Sequence, residues 1–363
     1  IVSDQIFHFR QASNCMLLVL DRLDDPVTPL LSQWTYQAMV HELLGLNNNR
    51  VSLKGAPNIS NTQPDLEEVV LSAQQDDFFH QHLYSNFGEL GEAIQVLLKN
   101  YQKQTTTNNI SSLQTVEEMQ QFMEKFPELK SQSHLVSKHV AIMGELARLV
   151  EMCSLMDVSQ FEQELACADD HSIHMRELLS KLSSNTSNIK IPDKLRLGLL
   201  YALRYQITGN VNRIKSEMRN GGVPDEMIDL VTTILRYAGV ESRGPGLYGV
   251  GTKDIVSKMT KTFFTSVQGV SNVYSQHVPV LIETLEAILK GKLRSESHPY
   301  LMREKSSNQQ HNGSTSSNST NISDDIPNEI IIFMAGGVTY EEATKVAELN
   351  KNHQGKCRFI LAG

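Results

Sequence analysis

Strand-like apolar runs stand near the two ends of this chain, and helical periodicity fills the space between them. Residues 15–21, Cys-Met-Leu-Leu-Val-Leu-Asp, form an unbroken apolar run closed by an acid, the pattern of a strand buried on both faces of a parallel sheet. Similar runs recur at 329–335 and 358–362. Parallel strands need crossover connections. The two ends therefore belong to one α/β domain that is discontinuous in sequence and split by a large helical insertion. The expected architecture is α/β plus all-α, with a partial parallel sheet. Residues 1–60 and 327–363 form its two parts, 61–305 the insertion, and 306–326 a polar, disordered loop.

Within the insertion, apolar residues from Phe79 to Tyr101 recur every three or four positions, predicting one helix over 77–102. A second is expected over 116–125, before Phe126-Pro127. Leu135, Ile142, Leu149 and Met156 then repeat every seven residues, as do Val136, Met143 and Val150, predicting a continuous helix over 134–165. Such a helix would be roughly 45 Å long. Further helices are expected at 194–206, 210–220, 225–238, 253–266 and 277–291. Residues 30–45 read as a helix stopped by Gly45, and Thr339 with Glu342 as a capping box opening a helix to Asn350.

The net charge of −8 argues against a nucleic-acid binder. No run of 18 apolar residues occurs that would span a bilayer. Four scattered cysteines without C-x-x-C spacing fit a reducing compartment. Triplets such as Asn185-Thr186-Ser187 match the glycosylation pattern, but the opening Ile-Val-Ser-Asp is no signal peptide. The absent initiator Met reads as a chain whose native N-terminus is missing.

Several motifs invite a chemical reading. Gly244-Pro-Gly246-Leu-Tyr-Gly249 spells G-x-G-x-x-G, yet it follows a helix rather than a strand, so a linker is the better reading. Asp21, Asp24 and Asp25 cluster where α/β enzymes hold Mg²⁺ or a phosphoryl group. This makes a phosphoryl-transfer enzyme using the Asp21–Asp25 loop the rival hypothesis; turn-capping, with Arg22 as ion-pair partner, is the plainer account. Gly336-Gly337 lacks the lysine of a nucleotide-triphosphate loop. His171 and His174 near Asp169 and Asp170 have no further ligand at useful spacing, so no metal and no cofactor is expected.

The stretch Leu17-Leu-Val-Leu-Asp-Arg-Leu-Asp-Asp-Pro-Val-Thr-Pro-Leu-Leu-Ser-Gln-Trp-Thr-Tyr36 resembles the signature of the SM (Sec/Munc) family. Further matches run in family order: Val136-Ser-Lys-His-Val140, Glu162-Gln-Glu-Leu-Ala-Cys167, Asn272-Val-Tyr-Ser-Gln-His277 and Gly336-Gly-Val-Thr-Tyr-Glu-Glu342. The continuation Gln37–Arg50 is similar to the branch that serves endosomes and the trans-Golgi network. The resemblance implies a non-enzymatic, cytoplasmic regulator of vesicle docking and fusion, peripheral on those membranes. The resemblance further implies that such a regulator binds syntaxin-type SNAREs and the assembled SNARE complex and templates SNARE assembly. It also implies a helical hairpin over about 116–167, with Pro127 at its bend and SNARE-facing positions at Leu135, Val136, His139, Val140 and Met143.

Overall fold

The computed structural model describes residues 15–56, 64–107, 127–183, 188–243, 276–301, 327–353 and 355–363. The expected helices at 116–125 and 253–266, the G-x-G-x-x-G segment and the polar loop 306–326 lie outside these residues. Two compact units emerge: residues 1–29, 235–266 and 277–363 form one, and residues 30–234 with 267–276 the other. The first segment of the sheet unit ends at Pro29.

In the sheet unit, β1 (Cys15–Asp21), β5 (Glu329–Ala335) and β6 (Arg358–Ala362) pair in parallel in the order β1-β5-β6, with Leu18 opposite Ile332 and Ile332 opposite Leu361. One face is core. Leu18, Leu20, Ile330, Ile332, Met334 and Phe359 cluster with Leu281, Leu285 and Ile288 of α11 (Val280–Leu289) and Val346 of α12 (Tyr340–Asn352). The expectation of a strand buried on both faces is corrected here. Leu17 is 64% exposed and Val19 52%, because the helices of this unit's core pack on the opposite face. The Thr339–Glu342 capping box is present: the hydroxyl accepts from the Glu342 amide, and the carboxylate accepts from the Thr339 amide.

The helical unit carries a small antiparallel sheet that the sequence reading missed: β2 (Leu46–Asn47), β3 (Arg50–Ser52) and β4 (Glu68–Val70). Its described helices begin with α1 (Tyr36–Met39), extended by a π turn to Leu44 and stopped by Gly45 at φ +83°. Next come α2 (Asp77–His82), α3 (Phe87–Thr107), α4 (Pro127–Met152), α5 (Leu155–Cys167), α6 (His171–Leu182), α7 (Ile191–Tyr205) and α8 (Val211–Asn220). The helix α9 (Asp225–Ala238) follows, and the short α10 (Val240–Arg243) belongs to the sheet unit.

Three expected helices differ, each for a local reason. The helix over 77–102 is two helices. The carbonyls of Leu83 and Ser85 accept from the amides of Gln37 and Tyr36, and Asn86 restarts the chain with a reciprocal cap to Glu89. The helix over 134–165 breaks at Ser154, which sits left-handed at φ 52°. The break lets Leu146 and Val150 before it, and Leu155 after it, enter one core. The helix over 30–45 starts only at Tyr36, because Ser32 and Trp34 are tied to α5 as described below.

Candidate functional site: the signature loop and the helical ridge

The loop after β1 is built around two buried ions. Asp25 accepts through Oδ1 from the amides of Val27 (3.2 Å) and Thr28 (2.9 Å), and through Oδ2 from the Thr28 hydroxyl (2.6 Å) and the Val280 amide (3.1 Å). Thr28 spends its proton on that carboxylate, so its oxygen accepts from His277 Nε2 at 2.7 Å, which fixes the imidazole tautomer. Burial lowers the pKa of His277, with Asp25 and Glu342 opposing. Arg22, also buried, donates to the Asp25 carbonyl (3.2 Å), the Gly337 carbonyl (2.8 Å) and Glu342 Oε2 (2.7 Å).

This geometry decides between the two readings of the acidic cluster. Both Asp25 oxygens are occupied by four donors of the chain itself, so the loop does not present Asp25 to a phosphoryl group. Asp21 caps the following 3₁₀ turn through the Leu23 amide. Gly336 is fixed by the same core: its φ is +103°, and a Cβ there would stand 2.7 Å from Arg22 Cβ. The motif is a folding device that joins three distant pieces of the sheet unit.

The histidine pair 171 and 174 is likewise accounted for. His171 Nε2 lies 2.8 Å from the Tyr201 hydroxyl and His174 Nδ1 lies 2.7 Å from that of Tyr205, while Asp170 caps α6 through the Ile173 amide. Among the described residues no group of three or more His, Cys, Asp or Glu side chains could hold a metal ion, and the four cysteines are free.

The ridge on α4 was expected to carry the partner-facing residues. Pro127 opens the helix, the position where a missing amide costs nothing. Val136 is buried, Leu135 and Met143 are half-buried against the core that contains Ile142, Leu146 and Val150, and Val140 is 38% exposed. Val140 is thus the most exposed among Leu135, Val136, His139, Val140 and Met143. Helix α3 packs against α4, and the connection between them lies outside the described residues.

His139 holds a structural post. Its Nδ1 accepts from the Tyr36 hydroxyl at 2.7 Å, and its Nε2 donates to Asp76 at 3.1 Å. Lys138 also pairs with Asp76 and donates to the Val70 carbonyl at 3.2 Å. Burial opposes ionisation of Asp76, but His139, Lys138 and the Phe79 amide together hold its carboxyl well below the usual carboxylate range. Burial also pushes the Tyr36 phenol up and the His139 imidazole down. The sequence reading missed this network, although Lys138-His139 in an apolar stripe was a signal of a buried polar partner.

A second polar cluster was missed as well. Arg196 on α7 pairs with Glu42, with Asp193 at 2.6 Å and with Glu162 at 3.5 Å. Glu162 is fully buried and accepts from the Ser32 amide at 2.7 Å, while Trp34 Nε1 donates to Ser159 at 2.7 Å. These bonds hold residues 32–34 extended against α5. Burial raises the Glu162 carboxyl to about 7 against the pull of Arg196 and Ser32.

A parallel three-stranded sheet closed by a buried Asp–Thr–His loop, and carrying a helical insertion, defines the class of fold. The chain belongs to the Sec1 family, whose model matches residues 2–363. It is similar to "Vacuolar protein sorting-associated protein 45" of Dictyostelium discoideum, 44% identical over 358 residues, 99% of this chain and 59% of that protein. The Homo sapiens protein of the same name is 41% identical over 362 residues, again 99% of this chain and 59% of the relative. Among solved structures, "SM Protein Vps45 in Complex with Qa SNARE Tlg2" matches with a TM-score of 0.78 at 38% identity, over 99% of this chain and 60% of that one. The chain therefore spans about 59% of the length of these curated relatives.

Proposed function

We propose that this chain acts as an SM-type regulator of SNARE-mediated vesicle docking and fusion in endosomal, trans-Golgi and vacuolar traffic. In this reading it binds a syntaxin-type SNARE and the assembled SNARE complex, and it templates SNARE assembly without doing chemistry. The observation that carries it is the end-to-end match to a protein whose solved complex holds a Qa SNARE. No described helix is long and apolar enough to cross a membrane. Holding flexible SNARE segments in register meets part of their ordering entropy before they zip.

The proposed contact is the hairpin over about 116–167, with its face on α4: Pro127, Leu135, Val136, His139, Val140 and Met143. Within this set the exposed Val140 is the first point of contact, and Leu135 and Met143 flank it half-buried. Val136 and His139 support that face from below. A buried aliphatic contributes about 1.5–3 kcal/mol, so a few such contacts suffice for specific docking.

The test is Val140→Asp and Met143→Asp, with binding to a Qa SNARE cytosolic region measured by calorimetry. Val140→Asp is expected to weaken binding at least about tenfold while leaving the thermal midpoint within a degree or two. Met143→Asp should weaken it with some loss of stability. Unchanged affinity in a folded Val140→Asp protein sinks the assignment of this face.

A further inference from the structure

The apolar residues of α4 do not by themselves fix which way that helix faces. They fall on two neighbouring stripes, Leu135, Ile142 and Leu149 on one, Val136, Met143 and Val150 on the other. The stripes lie one residue apart, about 100° around the axis. Neither is wholly inside: Ile142, Leu149, Val136 and Val150 are buried, while Leu135 and Met143 are half-buried. Turning the helix by one stripe would trade one aliphatic side chain for another, and cores packed this way lose uniqueness before they lose stability.

Two consecutive polar residues break the tie. Lys138 and His139, 8% and 0% exposed, both reach Asp76 at the N-cap of α2. Lys138 also donates to the Val70 carbonyl of β4 at 3.2 Å. His139 takes the Tyr36 hydroxyl at 2.7 Å on its other nitrogen and packs on the Phe78 ring, centroids 4.6 Å apart. Asp76 is itself pinned: its carboxylate accepts from the Phe79 amide at 2.9 Å, and its amide donates to the Ser72 carbonyl at 2.9 Å. Side chains about 100° apart on one helix that converge on one fixed carboxylate allow α4 a single rotation. A turned helix strands an ammonium and a carboxylate in the core, a far larger cost than an aliphatic exchange. Val140 comes next around the axis and is 38% exposed.

We infer that Asp76 is a positioning residue: through Lys138 and His139 it sets the rotation of α4 and so presents Val140 to a partner helix. The inference rests on the docking face proposed above. The network supplies specificity more than net stability, since a buried ion pair can be exchanged for apolar residues with little loss of stability. Aliphatic contacts hold α4 down, and the polar ones choose its face.

Cysteine reporters read the rotation without any partner. In a Cys15→Ser background, which removes the exposed native thiol, Val140→Cys and Val136→Cys probe an exposed and a buried position of one helix. Alkylation of the 363-residue chain should be at least about thirtyfold faster at position 140 than at 136. In Asp76→Asn, Lys138→Met, which removes both charges together and is expected to melt cooperatively, the ratio should fall to about threefold or less. Tyr36→Phe deletes one hydroxyl, keeps every charge, and serves where the double variant fails to fold; its ratio should drop at least about threefold. A Qa SNARE cytosolic region should bind the double variant at least about tenfold more weakly than the parent. An unchanged ratio in the folded double variant, or in Tyr36→Phe where the double variant does not fold, overturns the positioning role. A ratio that collapses while SNARE affinity holds supports that role and removes α4 from the docking face instead.

Discussion

The two units solve the same problem, a set of charged groups inside an apolar core, in different ways. In the sheet unit the ions sit where the chain turns. Asp25 is satisfied mainly by backbone amides of its own loop and the first turn of α11, and Arg22 by carbonyls and one capping carboxylate. In the helical unit the partners are mainly side chains drawn from several elements: Asp76, Lys138, His139 and Tyr36 in one network, and Glu42, Glu162, Asp193 and Arg196 in the other. A network closed by backbone tolerates the loss of a side chain only by leaving amides bare. One closed by side chains leaves bare charges, which cost more.

Asp76→Ala is therefore expected to have the largest effect, about 4 kcal/mol, because it strands the Lys138 ammonium and unties the N-cap of α2. Urea denaturation with the double variant Asp76→Asn, Lys138→Met as control sharpens the point. Removing both charges should recover at least half of the loss. A penalty below about 1 kcal/mol for Asp76→Ala would erase the distinction between the units. Asp25→Ala should cost about 3 kcal/mol, since two buried amides and the half-buried Val280 amide lose an acceptor together. Hydrogen exchange should accelerate at Val27, Thr28 and Val280, and a uniform acceleration across the sheet would mean the loop is not the local clasp described above.

The same contrast explains what could be read from the sequence. The loop network joins distant pieces, but each piece is a short turn motif: Asp21–Thr28, the Thr339–Glu342 cap and the Gly336-Gly337 turn were all visible as turn chemistry. Strands β1, β5 and β6 were visible because parallel strands carry continuous apolar runs. The break at Asn86 was missed because Leu83 and Phe87 keep the helical spacing across it, although Asn86 with Glu89 was a readable cap. Ser154 gave no such signal; its left-handed turn is imposed by the core on both sides. Strands of two or three residues such as β2 and β4 are too short to show alternation. Apart from Asp193, three residues before Arg196 on α7, the partners of His139 and Arg196 lie on other elements and had no sequence signature. Gly336→Ala tests the local side of this account: with φ +103° and the Arg22 Cβ 2.7 Å away, it should cost about 2 kcal/mol. Gly337→Ala, at φ +93° with open space around it, should cost about 1 kcal/mol. Equal thermal shifts for the two would remove Arg22 as the reason for the first glycine.

Glu162 gives the most specific effect, because it acts through pH. Burial raises its carboxyl from the ordinary glutamate range to about 7. A raised carboxyl means that folding favours the protonated form, so its contribution is full in mild acid and is lost as pH rises from about 4.5 to 7. Asp76 lies on the opposite side: its carboxyl is depressed, and its contribution is complete above about pH 4 and flat through this window. His139 and His277, both lowered by burial, add a slope of the other sign below about pH 6.5, and Glu283 in the sheet unit, also raised to about 7, adds one of the same sign. All of these remain in Glu162→Gln and cancel when that variant is subtracted from the parent at each pH. The variant is thus expected to gain about 2 kcal/mol on the parent between pH 5 and pH 8, taking about 1.36 kcal/mol for each pKa unit and allowing for the Arg196 charge. Glu283→Gln, measured the same way, should gain less, since Glu283 is only half-buried. A Glu162→Gln difference that stays constant with pH would mean that Arg196 holds the carboxylate ionised, and the helical unit's second cluster would then be a balanced ion network like the first.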